Sequence, residues 1–179
     1  MLRNSEITYG LVTRLLHWSI AILILGMIPL GYWMTSIPLS DFRWTLFNLH
    51  KATGTLILIL VIVRILWQVS NVQLAIPQTL PLWQVRLAKL TAGLLYCLMV
   101  IVPVTGFTGS LTSGYAISFY GLFSIPALSK HPMISSLCWD IHGVAPYVLL
   151  GLVAMHAMAA IYHHVILKDD VLNRMLKGT

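Results

Sequence analysis

Four histidines, His17, His50, His142 and His156, stand inside long apolar runs of this chain. An ionisable side chain in such a run is expensive and marks a site of function, most often a metal ligand or a proton path. His142 and His156 share one run, Asp140 to Lys168, DIHGVAPYVLLGLVAMHAMAAIYHHVILK. Fourteen residues at about 100° each make four helical turns less about 40°, so both rings project from one helix face, roughly 21 Å apart along it. His163 extends the same stripe seven residues later. Imidazole nitrogens are good iron ligands, and helices of a bundle can hold a haem between two of them. A Cys-x-x-Cys-His motif is missing, so covalent haem attachment is excluded. A di-iron centre is excluded as well, because no Glu-x-x-His or other carboxylate within the apolar runs completes one.

These rings have to be carried by membrane helices. The chain of 179 residues is 58% hydrophobic and 9% charged with a mean hydropathy of +0.85, far from the balance of a water-soluble domain. Spans are expected at about residues 15–34, 47–67, 86–111 and 140–167, an all-α four-helix up-down bundle filling a single domain over 1–179. The first span lacks a small-residue cleavage site after it and carries His17, so it reads as retained and not as a removed signal. Gln68 to Gln84, with Pro77 and Pro81, reads as a surface loop, and Thr112 to Trp139 as a long aromatic connector lying on the bundle as a lid. Cys97 and Cys138 read as inert thiols and not as a disulfide. The net charge of +6 is read as a signal of membrane orientation and not of nucleic-acid binding. Eight basic residues (Arg3, Arg14, Arg64, Arg86, Lys89, Lys168, Arg174 and Lys177) fall on the side of the termini, against Arg43, Lys51 and Lys130 on the other. Both termini are therefore expected in the cytoplasm.

In that topology His50 and His142 begin their helices at the outer side, whereas His17 and His156 lie toward the inner side. The expected pairs are His17/His156 and His50/His142, each with the form of a bis-imidazole haem b site. One strain accompanies the inner pair. Arg14 puts His17 within a turn of the boundary while Lys168 lies twelve residues beyond His156, so either span 4 projects from the lipid or span 1 starts earlier. Gly54, Gly143 and Gly151 would leave helix surface free for a macrocycle, or serve ordinary helix packing. Arg14, Arg43 and Lys51 are border charges that could pair with haem propionates. His163 and His164 are interfacial polar residues or contacts to a quinone head group. Six-coordinate iron leaves no open position, which favours electron transfer over oxygen binding.

The segments RLLHWSIAILILGMIPLGYWM, LHKATGTLILILVIVRILW, YGLFSIPAL and MHAMAAIYHHVILKDDVLNRM resemble the bacterial cytochrome b561 family of di-haem membrane proteins. The resemblance implies four helices, two non-covalent haems b ligated by His17, His50, His142 and His156, and exchange with the quinone pool. It further implies a probable oxidoreductase of superoxide oxidase type, taking electrons from periplasmic superoxide to ubiquinone, with Arg43, Lys51, Lys130 and His131 attracting the anion. The alternative is a haem b membrane subunit accepting electrons from a partner dehydrogenase, a redox protein. Many family members carry a histidine near the start of span 3 where this chain has Ala92.

Overall fold

The computed structural model describes residues 1–74 and 81–178. Four long helices follow one another: α1 (Leu11–Ser36), α2 (Asp41–Val69), α3 (Leu82–Thr112) and α4 (Pro132–Tyr162). All four, α4 being prolonged to Leu167 by a π-helical stretch, are long and apolar enough to cross a membrane. A two-stranded antiparallel hairpin, β1 (Ile117–Phe119) and β2 (Phe123–Ile125), connects α3 to α4, and a short helix α5 (Val171–Leu176) ends the described chain. The chain is a four-helix membrane bundle.

Local chemistry sets the helix ends. Ile37 precedes Pro38, which disfavours the helical region, and it adopts extended backbone that closes α1. The Ser40 side chain accepts a bond from the Arg43 N–H, and Asp41 in the first turn opposes the helix dipole, so α2 starts at once. Pro132 opens α4, where its missing N–H leaves nothing unpaired. The π-helical stretch His163–Leu167 stops at Lys168, which takes a left-handed φ of 54°.

These bounds differ from the sequence reading mainly at α4, which begins eight residues before Asp140. The connector from Thr112 is accordingly shorter and partly a hairpin. The first-turn proline, not the hydropathy, sets that start. The loop before α3 is shorter as well: Gln68 lies in α2, Leu82 to Gln84 lie in α3 and Pro81 is its N-cap, while Pro77 lies outside the described residues. Of the two ways out of the strain in depth noted for the inner pair, the earlier start of span 1 is observed. α1 starts at Leu11, a turn and a half before His17, and Pro132–Leu167 spans 36 residues, about 54 Å, well beyond a hydrocarbon core of about 30 Å. Cys97 and Cys138 are both free, Cys97 on an exposed face of α3.

Packing is uneven around the bundle. α3 packs along α4, α1 along α2, and α2 along α3, whereas α4 meets α1 and α2 mainly through Leu149 in the common centre. Ile20, Ile24, Ile57, Val61 and Leu149 form the buried centre. Lipid offers no hydrophobic drive for helix association, so close dispersion contact of this kind does the holding. Each end is tied by polar bonds. At the hairpin end Lys51 Nζ donates to the Ala116 carbonyl (2.8 Å), and the Thr53 and Tyr120 hydroxyls bond at 2.9 Å. At the terminal end the Asn4 carbonyl oxygen accepts from Gly10 N–H (2.9 Å) and Thr13 Oγ1 (2.7 Å), and the Trp67 indole donates to that same hydroxyl (3.0 Å). The connector does lie on α2, as a hairpin strapped to it.

Candidate functional site

The four histidines come together two by two. His50 on α2 and His142 on α4 face each other with ring centroids 6.1 Å apart, close to perpendicular at 87°. His17 on α1 and His156 on α4 stand 6.2 Å apart at 60°. In both cases the partners come from two different helices, with the α4 ring facing α2 in one pair and α1 in the other. With metal–imidazole bonds of about 2 Å, two rings sharing one iron between their facing edges would hold their centroids roughly 6 Å apart. The observed separations have that size. Among the described residues no three His, Cys, Asp or Glu side chains gather closely enough for a bare ion, so two imidazoles are what each site offers. Two imidazoles are the protein ligand set that a haem iron would take, with its macrocycle supplying the remaining donors.

The hairpin-end pair is built in detail. A cavity of about 910 Å³ opens beside it, lined by His50, His142, Gly54, Gly143, Trp44 and Trp139 among others, at the upper end of ligand-pocket sizes. Gly54 and Gly143 line that cavity; a Cβ on Gly143 or on Gly151 would meet nothing within 4 Å, and one on Gly54 only the Met27 methyl at 3.8 Å. His142 Nδ1 lies 2.9 Å from the Val102 carbonyl. A carbonyl can only accept, so Nδ1 carries the proton and Nε2 keeps its lone pair for a metal. The Trp139 ring stands edge-on to His142 at 6.0 Å, with its indole donating to Ser113 Oγ. His50 Nδ1 is buried without a hydrogen-bond partner among the described residues.

The terminal-end pair is more open. His17 is half-buried beside Trp18, whose ring lies 5.2 Å away, and His156 is exposed. His163 Nδ1 contacts the Asp169 carboxylate, whose other oxygen accepts from Val171 N–H at 3.1 Å. That leaves the second ring nitrogen of His163 uncommitted, while His164 is exposed. The border charges are partly engaged within the protein. Arg14 Nη1 donates to the Leu176 carbonyl, Lys51 Nζ to Ala116 and Arg43 Nη1 to Ile37 (3.0 Å). Sequence reasoning passed over Arg64 as a snorkelling charge. Its Nε reaches the Tyr96 hydroxyl at 3.1 Å, and its guanidinium lies over that ring.

Residues 8–178 match the family model described as prokaryotic cytochrome b561. The chain belongs to that family. It is 33% identical over 179 residues, 97% of this chain and 93% of the relative, to cytochrome b561 homolog 2 of Escherichia coli (strain K12). Cytochrome b561 homolog 1 of the same organism is 30% identical over 127 residues, 71% of this chain and 72% of that one. A Yersinia pestis protein named "Probable superoxide oxidase CybB" is 25% identical over 173 residues, 90% and 91% of the two chains. Membership makes the chain a multi-pass membrane electron-transfer cytochrome and implies haem b.

Two features of the site escaped the sequence reading. Gly31 on α1 and Gly106 on α3 lie against the imidazoles of His50 and His142. The only signal available was a proline two or three residues ahead of each, in IPLGY and VPVTGF.

Proposed function

We propose that this cytochrome moves electrons across the membrane through two haems b, one held by His50 and His142 and the other by His17 and His156, with the whole chain acting as one unit. The observation that carries the reading is the pair of ring separations, 6.1 and 6.2 Å, each between side chains of two different membrane helices. Bound there, haem supplies one-electron exchange at an iron with no open coordination position. The protein supplies the rest. Its histidines fix the irons at two depths, and α4, which carries one ring of each pair, sets the spacing between them. The apolar centre around Val61 and Leu149 keeps water from the space between, and a low dielectric there keeps the charge on its path.

The positive-inside balance supports a hairpin end facing outward from a bacterial plasma membrane and termini in the cytoplasm. At the hairpin end, Arg43 and Lys51 line the cavity and Lys130 packs against Gly114. Cations there would raise the local concentration of a small anion. Superoxide fits as donor, in line with the name of the Yersinia relative. At the terminal end a membrane quinone, ubiquinone by the same reasoning, is the acceptor. Two superoxide ions then become two dioxygen molecules for each quinone reduced to quinol with two protons taken up. His163, oriented by Asp169, is placed to hand on a proton there, and Arg14 and Lys51 remain candidate propionate contacts.

Purified protein should contain two low-spin haems per chain by redox-titrated optical spectroscopy. Rapid mixing of superoxide with the oxidised form should reduce haem, and ubiquinone should reoxidise it. A second reading is favoured by the exposed apolar side chains Tyr115, Leu122, Phe123 and Met133 around the hairpin, a patch a partner dehydrogenase could cover. Silence toward superoxide combined with co-purification of a soluble redox protein would decide for it.

A further inference from the structure

Among the glycines of the four helices, most face open space or ordinary neighbours, and two face imidazoles. A Cβ built on Gly106 would lie 2.6 Å from Cε1, 3.0 Å from Nδ1 and 3.3 Å from Nε2 of His142. The first of these is closer than real Cβ atoms come to another atom, and the whole ring would have to move. A Cβ on Gly31 would lie 3.3 Å from Cε1 and 3.8 Å from Nδ1 of His50, a tight contact that a small shift could absorb. By contrast, nothing stands within 4 Å of a Cβ on Gly93, also in α3, or on Gly151, in α4. Glycine within a helix is less favourable than alanine by about 1 kcal/mol, so these positions run against local propensity.

The arrangement repeats. In each half of the chain the imidazole sits on the second helix of a pair and its glycine on the first, α1 for His50 and α3 for His142, with Pro29 and Pro103 shortly before the glycine. On α3 the approach is reinforced from the backbone. The Val102 carbonyl, one turn before Gly106, accepts from His142 Nδ1 and so fixes both the tautomer and the ring plane. A side chain at Gly106 would press on the ring edge that makes this bond.

We propose that Gly31 and Gly106 are positioning residues for the hairpin-end metal site: they are backbone seats that set where the imidazoles of His50 and His142 point, with Gly106 the stricter of the two. This rests on the reading of those histidines as haem ligands. The seats act through the ligands and touch no reacting atom. Loss of outer-sphere support typically weakens a metal site by about 10- to 100-fold, and Gly106→Ala should fall in that range.

The test uses full-length protein and follows each haem by its low-spin spectrum and midpoint potential. Gly106→Ala should strip or convert to high spin the haem assigned to His142, leaving the other haem unchanged. Gly31→Ala should keep both haems but displace the potential of that same one. Gly93→Ala should alter neither. A folding defect is separated from a positioning defect by G106A/H142G supplied with free imidazole. An untethered ring can settle around the new methyl group, so low-spin signal should return to the level that imidazole restores in H142G alone. Unchanged spectra and potential in Gly106→Ala, an equal effect in Gly93→Ala, or no rescue in the double variant would overturn the assignment. Wild-type protein without haem would instead sink the functional reading itself, so the two failures are told apart.

Discussion

The two histidine pairs have almost the same ring separation and are held there by different means. At the hairpin end the rings press on backbone: a glycine behind each, a carbonyl on Nδ1 of one, and a cavity closed over by a strapped hairpin. At the terminal end no glycine seat or carbonyl bond to either ring is found among the described residues, and His156 is exposed. There the order comes from the chain ends. Asn4, Thr13 and Trp67 bond around the start of α1, and the Trp18 indole and Arg14 guanidinium donate to the carbonyls of Met175 and Leu176 beyond α4. Backbone seats cannot be adjusted without moving helices, whereas side-chain ties can be changed one at a time. One pair is rigid by construction and the other is tunable.

That contrast can be broken most severely at the ligands. His142→Ala and His156→Ala should each remove one low-spin haem or turn it high-spin, leaving the other intact; haem per chain and the optical spectrum decide, and loss of both haems in either variant would mean the pairs are not independent. Next in size is Leu149→Ala. Leu149 lies seven residues from each α4 histidine and is buried in the common centre, so truncation should cost about 2–5 kcal/mol of stability while leaving both spectra in place, as thermal denaturation in detergent would show. Asn4→Ala strands the Thr13 hydroxyl and the Gly10 N–H and should cost about 1–3 kcal/mol. Its spectral effect should be confined to the haem at the terminal end. The mildest is Trp18→Phe, which gives up one hydrogen bond to Met175, about 1 kcal/mol, and should shift only the terminal-end potential. If Asn4→Ala or Trp18→Phe moved the hairpin-end haem instead, the division of labour between the ends would be wrong.

Much of this was legible before any coordinates. Long apolar runs give four membrane helices, and the spacing of His142 and His156 gives two depths on one face, because both facts follow from helical periodicity alone. The structure brings together the two pairs read from the sequence. Helix ends were less legible: hydropathy placed the start of the fourth span at Asp140, while Pro132 at a first turn sets it. The hairpin was missed because its turn depends on positive φ at Tyr120 and Gly121, and aromatic-rich ISF and FSI also fit an irregular loop. Gly143, Gly54 and Gly151 were singled out for lying near the ligands in sequence. The two that touch imidazoles, Gly31 and Gly106, lie on other helices, and their facing depends on how each helix is rotated about its axis. No one-dimensional pattern carries that rotation.

Because the helical rod Pro132–Leu167, with Pro146 inside it, is about 54 Å long and bears a ring of each pair, it links the two proposed redox centres. A change in bilayer thickness that alters the tilt of that rod would disturb both centres together. On the proposed function, lipid composition would thereby act as a mechanical input to electron transfer.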